Sequence, residues 1–138
     1  MSILTINNSN KAIISDIVVD LQCSGFNDGG ADKEKCTVEN YELPTMVSNY
    51  QGDVYLKFEY VSGGESAPLV LSISKNGDQP LILSGSPYYF NSNDVLTLNA
   101  TIDKRYNINK GYHLHYNINV YRSDNDSLLN SIPIYFNA

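Results

Sequence analysis

The chain has 138 residues and a formal charge of −6, from 9 Lys and Arg against 15 Asp and Glu. That length suits one domain, burying roughly two thirds of its unfolded surface without metal or disulfide support. Hydrophobic residues make up 42% of the chain and charged residues 17%, which excludes an acidic disordered tail. The one basic cluster, Lys104-Arg105, is too small for a nucleic-acid binder, whose affinity comes from clustered Lys and Arg on phosphates.

The first residues, Met1-Ser2-Ile3-Leu4-Thr5-Ile6-Asn7, lack the basic and apolar regions of a signal peptide, so the expected location is cytosolic, or outside after release without a classical signal. No run approaches the length of a transmembrane helix. Ile13, Ile17, Val19, Leu21 and Cys23 share one parity, with Asp16, Asp20 and Gln22 facing the other way, which predicts one long half-buried strand. Residues 24–35 and 44–52 read as the longest loops. Across 53–61, Val54, Leu56, Phe58 and Tyr60 alternate with Tyr55, Lys57 and Glu59. Strands 69–75 and 78–83 flank Asn76-Gly77, a pair that tolerates positive φ at both positions and predicts a type I′ hairpin turn. Residues 88–90 lead through Asn91-Ser92-Asn93-Asp94 into 95–102, where Leu96, Leu98, Ala100 and Ile102 take one face.

The plainest alternation runs over 112–121. Tyr112, Leu114, Tyr116, Ile118 and Val120 form one face, and His113, His115, Asn117, Asn119 and Tyr121 the other. A turn at 122–126 leads to a last strand, 128–136. Pro133 within it has no N–H to donate, so this strand is expected at a sheet edge or with a bulge there. Together these elements predict an all-β fold: a single-domain antiparallel β-sandwich over 1–138, jelly-roll or Ig-like Greek key, with about 8–10 strands.

Cys23 and Cys36 bracket residues 24–35 and could staple that loop. Without a signal peptide, the expectation is two reduced thiols, Cys23 on a core face. His113 and His115 project on the same side of one strand and could present two imidazoles to a metal, but these are the only histidines and a third ligand is needed. Ordinary surface residues are the simpler reading. The stretch with Asn27, Asp28 and Asp32 concentrates oxygen ligands and glycines as a Ca²⁺ loop would, although Lys33 and Lys35 beside it favour a solvated loop. Asp124 and Asp126 form a second such candidate, against the simpler reading of an Asx-rich turn. No other cofactor is expected.

Neither a nucleophile elbow, nor a phosphate-binding glycine loop, nor an H-E-x-x-H helix occurs, so no enzymatic activity is expected. Asn7, Asn99 and Asn125 begin N-x-S/T sequons, incidental without secretion. The polar residues are mainly neutral, with 17 Asn, 15 Ser and 11 Tyr. Tyr60, Tyr112 and Tyr116 fall on core parities, whereas Tyr55, Tyr121 and one of Tyr88 and Tyr89 point outward, with Tyr41, Tyr50 and Tyr106 in or beside loops. Exposed Tyr beside Asn and Asp supplies flat apolar area plus hydrogen bonds, the chemistry of recognition. The leading expectation is a non-catalytic, lectin-like module that binds a glycan or a protein surface, with Tyr55, Tyr121, His113, His115, Asn117 and Asn119 as its contacts. The alternatives are a self-assembling structural or inclusion-type protein, which would be a homo-oligomer, and a small toxin component that recognises membranes.

Overall fold

A computed structural model describes residues 16–28, 31–63, 69–104 and 113–138. Asn7, Ile13, Gly29, Gly30, Arg105, Tyr106 and Tyr112 lie outside the described residues. The described chain is all β: β1 (Ile17–Asp20), β2 (Gln22–Asp28), β3 (Ala31–Glu42), β4 (Asp53–Ser62), β5 (Leu69–Lys75), β6 (Leu81–Leu83), β7 (Tyr88–Asn91), β8 (Leu96–Lys104), β9 (His113–Arg122) and β10 (Leu128–Asn137). They form two five-stranded sheets. Sheet A has the order β1-β10-β9-β4-β7, and sheet B the order β2-β3-β8-β5-β6.

One core fills the space between the sheets. From sheet A come Val19, Val54, Leu56, Leu114, Ile118, Val120, Ile132, Ile134 and Phe136, and from sheet B Cys36, Ile73, Leu98, Ala100 and Ile102. These are the residues that period-two alternation assigns to one face of each strand. Each fully buried Leu, Ile, Val or Phe contributes about 1.5–3 kcal/mol relative to an exposed one, so the pattern is strongly selected over a one-residue slip that would turn every such side chain to water.

Five expectations are corrected. The single long strand ending at Cys23 is two strands in different sheets. Leu21 N–H still bonds to the Asn137 carbonyl in sheet A (2.9 Å) and its side chain is buried, after which the chain crosses into sheet B. β1 also runs parallel to β10, with Ile134 opposite Ile17 and Asn137 opposite Asp20, so the sandwich is not wholly antiparallel. Residues 24–28 and 31–35 pair as the two arms of a hairpin rather than forming a loop, with Gln22 paired to Thr37 and Asp28 to Ala31. Cys23 and Cys36 face each other across it and are joined by a disulfide; Cys23, on the outermost strand, is exposed and Cys36 is buried.

Pro133 supplies the fifth. β10 is flanked by both β1 and β9, and the bulge in its pairing with β9 falls at Leu129, opposite the Val120–Tyr121 step. The described ladder with β1 begins only at Ile134, so no β1 carbonyl among the described residues is set opposite the missing N–H.

Asn76 and Gly77 have φ of 53° and 80°, and Asp78 N–H closes the turn on the Lys75 carbonyl at 2.9 Å, as a type I′ turn requires. The returning strand is shorter than expected. It resumes pairing at Leu81, opposite Ile73, one residue out of step with the turn, because Pro80 interrupts the ladder. At the opposite end of sheet A the backbones of β4 and β9 approach closely: a Cβ on Gly63 (φ 116°) would collide with the His113 carbonyl oxygen.

Candidate functional site

The outward residues of β9 lie in register with those of β4 and β10, so the outer face of sheet A is a set of cross-strand rows. The first row is Tyr89, Tyr55 and Tyr121, with Leu128 beyond them. Lys57, Asn119 and Ser131 form the next, and Glu59, Asn117 and Pro133 the third. His115 then aligns with Tyr135 and Val18, and His113 with Asn137 and Asp20. All six residues expected as contacts therefore lie on one face, and period-two alternation alone is the reason.

In the tyrosine row the Tyr55 ring stands 5.3 Å from that of Tyr89 and 5.0 Å from that of Tyr121, within the range of favourable aromatic pairs. Tyr89 is 58% exposed, whereas Tyr55 is only 9% exposed beneath its neighbours. Tyr55 thus points to the outer face as expected but supports the platform rather than forming its surface. Its hydroxyl donates to Asp126 Oδ1 at 2.8 Å. That bond, with desolvation and the Asp126 charge, pushes the phenol up to about 12. Of the adjacent pair, Tyr88 turns into the core and Tyr89 outward.

The middle rows carry neutral hydrogen bonding. Ser131 Oγ donates to Asn119 Oδ1 (2.6 Å), and Asn119 Nδ2 donates to Glu59 Oε1 (3.3 Å). At the far end His115 stacks on Tyr135, centroids 4.3 Å apart, and its Nε2 is buried with no hydrogen-bond partner among the described residues. His113 Nδ1 lies 3.0 Å from Asn137 Oδ1, while Asn137 Nδ2 donates to Asp20 Oδ1 at 3.2 Å. Because Asn137 spends its amide on Asp20, its oxygen faces His113 and the proton of that bond sits on Nδ1.

The two imidazoles are engaged separately, one by Asn137 and one by Tyr135. Among the described residues, the one grouping of three ligand atoms close enough for a metal is Cys23, Glu34 and Cys36, and both of its sulfurs are in the disulfide. Asn27, Asp28 and Asp32 lie in the β2–β3 hairpin, Asn27 opposite Asp32, so their backbone is not wrapped as a cation loop. Asp124 is clamped by Arg122, whose Nε and terminal nitrogen donate at 3.0 and 2.7 Å; the Arg122 hydrogen bonds hold its carboxyl below the usual range. Asp126 receives the Tyr55 hydroxyl, and Asn125 Oδ1 accepts from Ser127 N–H at 3.0 Å. This geometry is that of an Asx-bearing hairpin turn.

Some features have no forerunner in the sequence reading. Tyr135 is one; the 122–126 turn, once its register is known, sets it opposite His115. The exposure of Tyr60 is another: expected in the core from its parity, it is 49% exposed, its ring edge-on to Tyr116 at 5.5 Å. The third is a cavity of about 370 Å³ at the tyrosine end, between the 43–52 segment and the 91–95 turn. Its walls are 39 residues apart in sequence at their nearest, Gln51 and Phe90, so no local pattern announces it.

No protein-family model matches the sequence, and no curated protein matches it. Among solved structures, the chain is similar to the CFA/I adhesin CfaE of enterotoxigenic E. coli (G168D mutant), with 13% identity and a TM-score of 0.49 over 99% of this chain and 51% of that one. It is similar to the N-terminal domain of PorA at 12% identity and a TM-score of 0.42, covering 91% and 89% of the two chains. For the CupB6 tip adhesin of Pseudomonas aeruginosa the identity is 11% and the TM-score 0.34, over 91% of this chain and 42% of that one. The chain thus spans about half of CfaE and less than half of CupB6. None of these similarities identifies a ligand for this chain. No helix among the described residues is long and apolar enough to cross a membrane.

Proposed function

We propose that residues 1–138 form a single non-catalytic recognition domain that binds a glycan on the outer face of sheet A. The observation that carries this reading is the continuous row Tyr89–Tyr55–Tyr121, aligned by cross-strand register and anchored by the Tyr55–Asp126 bond, with the Tyr89 ring tilted 48° to that of Tyr55. Exposed rings give flat apolar area on which the apolar face of a sugar can stack, and the neighbouring Asn119, Ser131 and Lys57 reach its hydroxyl edge. The non-catalytic part of the reading rests on the same geometry. The Tyr55 phenol is pushed up to about 12 and stays protonated, Asp124 is committed to Arg122, and the two histidines face different partners.

A glycan array, run with and without Ca²⁺, tests the proposal, followed by Tyr89→Ala on any ligand found. Removing one stacking ring is expected to weaken binding about tenfold with the fold intact, since Tyr89 is largely exposed. An array without binders under both conditions would sink the proposal.

A second reading is self-assembly. It is favoured by Leu81 and Ile82, 59% and 72% exposed on the short outermost strand β6; unpaired strands with apolar side chains are templates for another chain. Sedimentation at high concentration distinguishes the two. Concentration-dependent oligomers that Ile82→Lys disperses support assembly, and a monomer throughout removes it.

A further inference from the structure

The cavity between the 43–52 segment and the 91–95 turn is built as a site. One wall is tied to both sheets: Leu43 N–H bonds to the Leu96 carbonyl (2.9 Å), and the Met46 carbonyl accepts from Asn130 Nδ2 in sheet A (2.8 Å). Gly52 and Ser92 then join the walls reciprocally, Gly52 N–H to Ser92 Oγ at 3.0 Å and Ser92 N–H to the Gly52 carbonyl at 2.9 Å. The opposite wall is fixed through Asp94, whose two oxygens accept from Asn91 N–H (2.9 Å) and Asn76 Nδ2 (2.8 Å). These bonds hold its carboxyl below the usual range, so the charge persists. Such a cavity is formed before any ligand arrives, and little ordering entropy remains to be lost on binding.

Its chemistry is equally specific. Leu43, Val47, Phe90 and Leu96 make an apolar base, whereas Ser48, Gln51 and Asn93 at the rim offer both donors and acceptors. Glu42 and Asp94 add two carboxylates, and no Lys, Arg or His is among the described lining residues. The volume, about 370 Å³, lies at the small end of ligand pockets. An apolar floor with a polar rim matches an amphipathic ring that carries hydroxyls on its edge. Lys75, outside the lining, offsets part of the Asp94 charge, but two carboxylates exceed that one cation and favour a positive ligand over a negative one. By contrast, the concavity beside Phe58 and Leu83 is about 130 Å³, below the usual range.

We infer that this cavity is a second binding site, separate from the tyrosine face, that takes one monosaccharide-sized polyhydroxylated ring and prefers amino sugars to uronic acids. The test is an amide NMR titration of the full chain with glucosamine, glucose and glucuronate at fixed ionic strength. The expected result is saturable shifts at Ser48, Gln51 and Asn93, with glucosamine bound at least about tenfold more tightly than glucuronate and glucose between them. Glu42→Gln should narrow that preference several-fold. Asn93→Trp, at the exposed rim, should abolish the shifts; if its spectrum shows a lost fold, Ser48→Trp on the facing wall provides the same closure. No shifts at these three residues with any probe would overturn the inference, as would equal binding of glucuronate and glucosamine. Shifts confined to Tyr89, Tyr121 and Asn119 would also overturn it while leaving the tyrosine face as a glycan site.

Discussion

Reduction of the Cys23–Cys36 disulfide is the most direct perturbation of the fold, because it leaves every side chain in place and removes only the cross-link. The bond closes a loop with a sequence separation of 13. Loop-closure entropy then puts its contribution at about 3 kcal/mol at 25 °C, through restriction of the unfolded chain. For a domain of this length each kcal/mol moves the melting midpoint by about 3–5 °C, so reduction should lower it by roughly 10 °C. Substitution is a poorer probe, since Cys36 is fully buried and any replacement alters core packing as well. The assay is calorimetry with and without a reductant that does not absorb, checking that calorimetric and van't Hoff enthalpies agree in both states. An unchanged midpoint would refute the reasoning, because it would mean that the β2–β3 hairpin opens before the rest of the molecule unfolds, or that the thiols were never joined.

Two further predictions concern single residues. Tyr55 should titrate late: its folded value, about 12, lies above its ordinary 10.0, so the neutral phenol stabilises the fold fully below pH 10 and that contribution is lost as pH rises towards 12. In ultraviolet difference titration Tyr55→Phe should remove one late-ionising phenol. Asp126→Asn keeps an acceptor and tolerates the left-handed backbone there (φ 60°), and should bring the Tyr55 midpoint back towards 10; identical alkaline titrations of all three proteins would contradict the Tyr55–Asp126 bond. Gly63→Ala should destabilise the chain by more than the roughly 1–3 kcal/mol of a strained backbone, because its Cβ meets the His113 carbonyl rather than a movable side chain. A denaturation midpoint within error of wild type would show that β4 and β9 separate freely at that end.

The parts of the fold legible from residue order are those where a local rule and burial agree. Alternation over 113–121 survives the structure intact, and with it the grouping of His113, His115, Asn117, Asn119 and Tyr121 on one face. Asn76-Gly77 turns as its chemistry demands. Failures occur where a distant partner overrules local preference. Residues 24–35, rich in Gly, Asp and Lys, have poor strand propensity, yet 24–28 and 31–35 pair because β8 offers a ladder to β3 and the disulfide ties β2 to it; strand preference is largely a matter of what lies alongside. Pro133 is tolerated inside a sheet because the described β1 ladder begins one residue later.

The tyrosines show how the same limits shape the site. Parity divides Tyr55 and Tyr121 from Tyr116 correctly and sets one of Tyr88 and Tyr89 outward without saying which, but parity says only which way a ring points, not what covers it. Tyr55 is outward and buried because both strand neighbours place a ring beside it, whereas Tyr60 is inward and half exposed because it lies towards the end of β4. There a bulge at Val61, between the Tyr116–Tyr60 and His115–Ser62 pairs, breaks the register. Coverage depends on cross-strand register, and register depends on bulges and turns that single residues do not specify. The same dependence makes the tyrosine row a demanding test of the whole fold: a slip of β9 against β4 by one residue would separate Tyr121 from Tyr55 and break up the platform. Binding at Tyr89 and the late titration of Tyr55 should therefore be lost together in any variant that shifts that register, and independently in variants that change one ring.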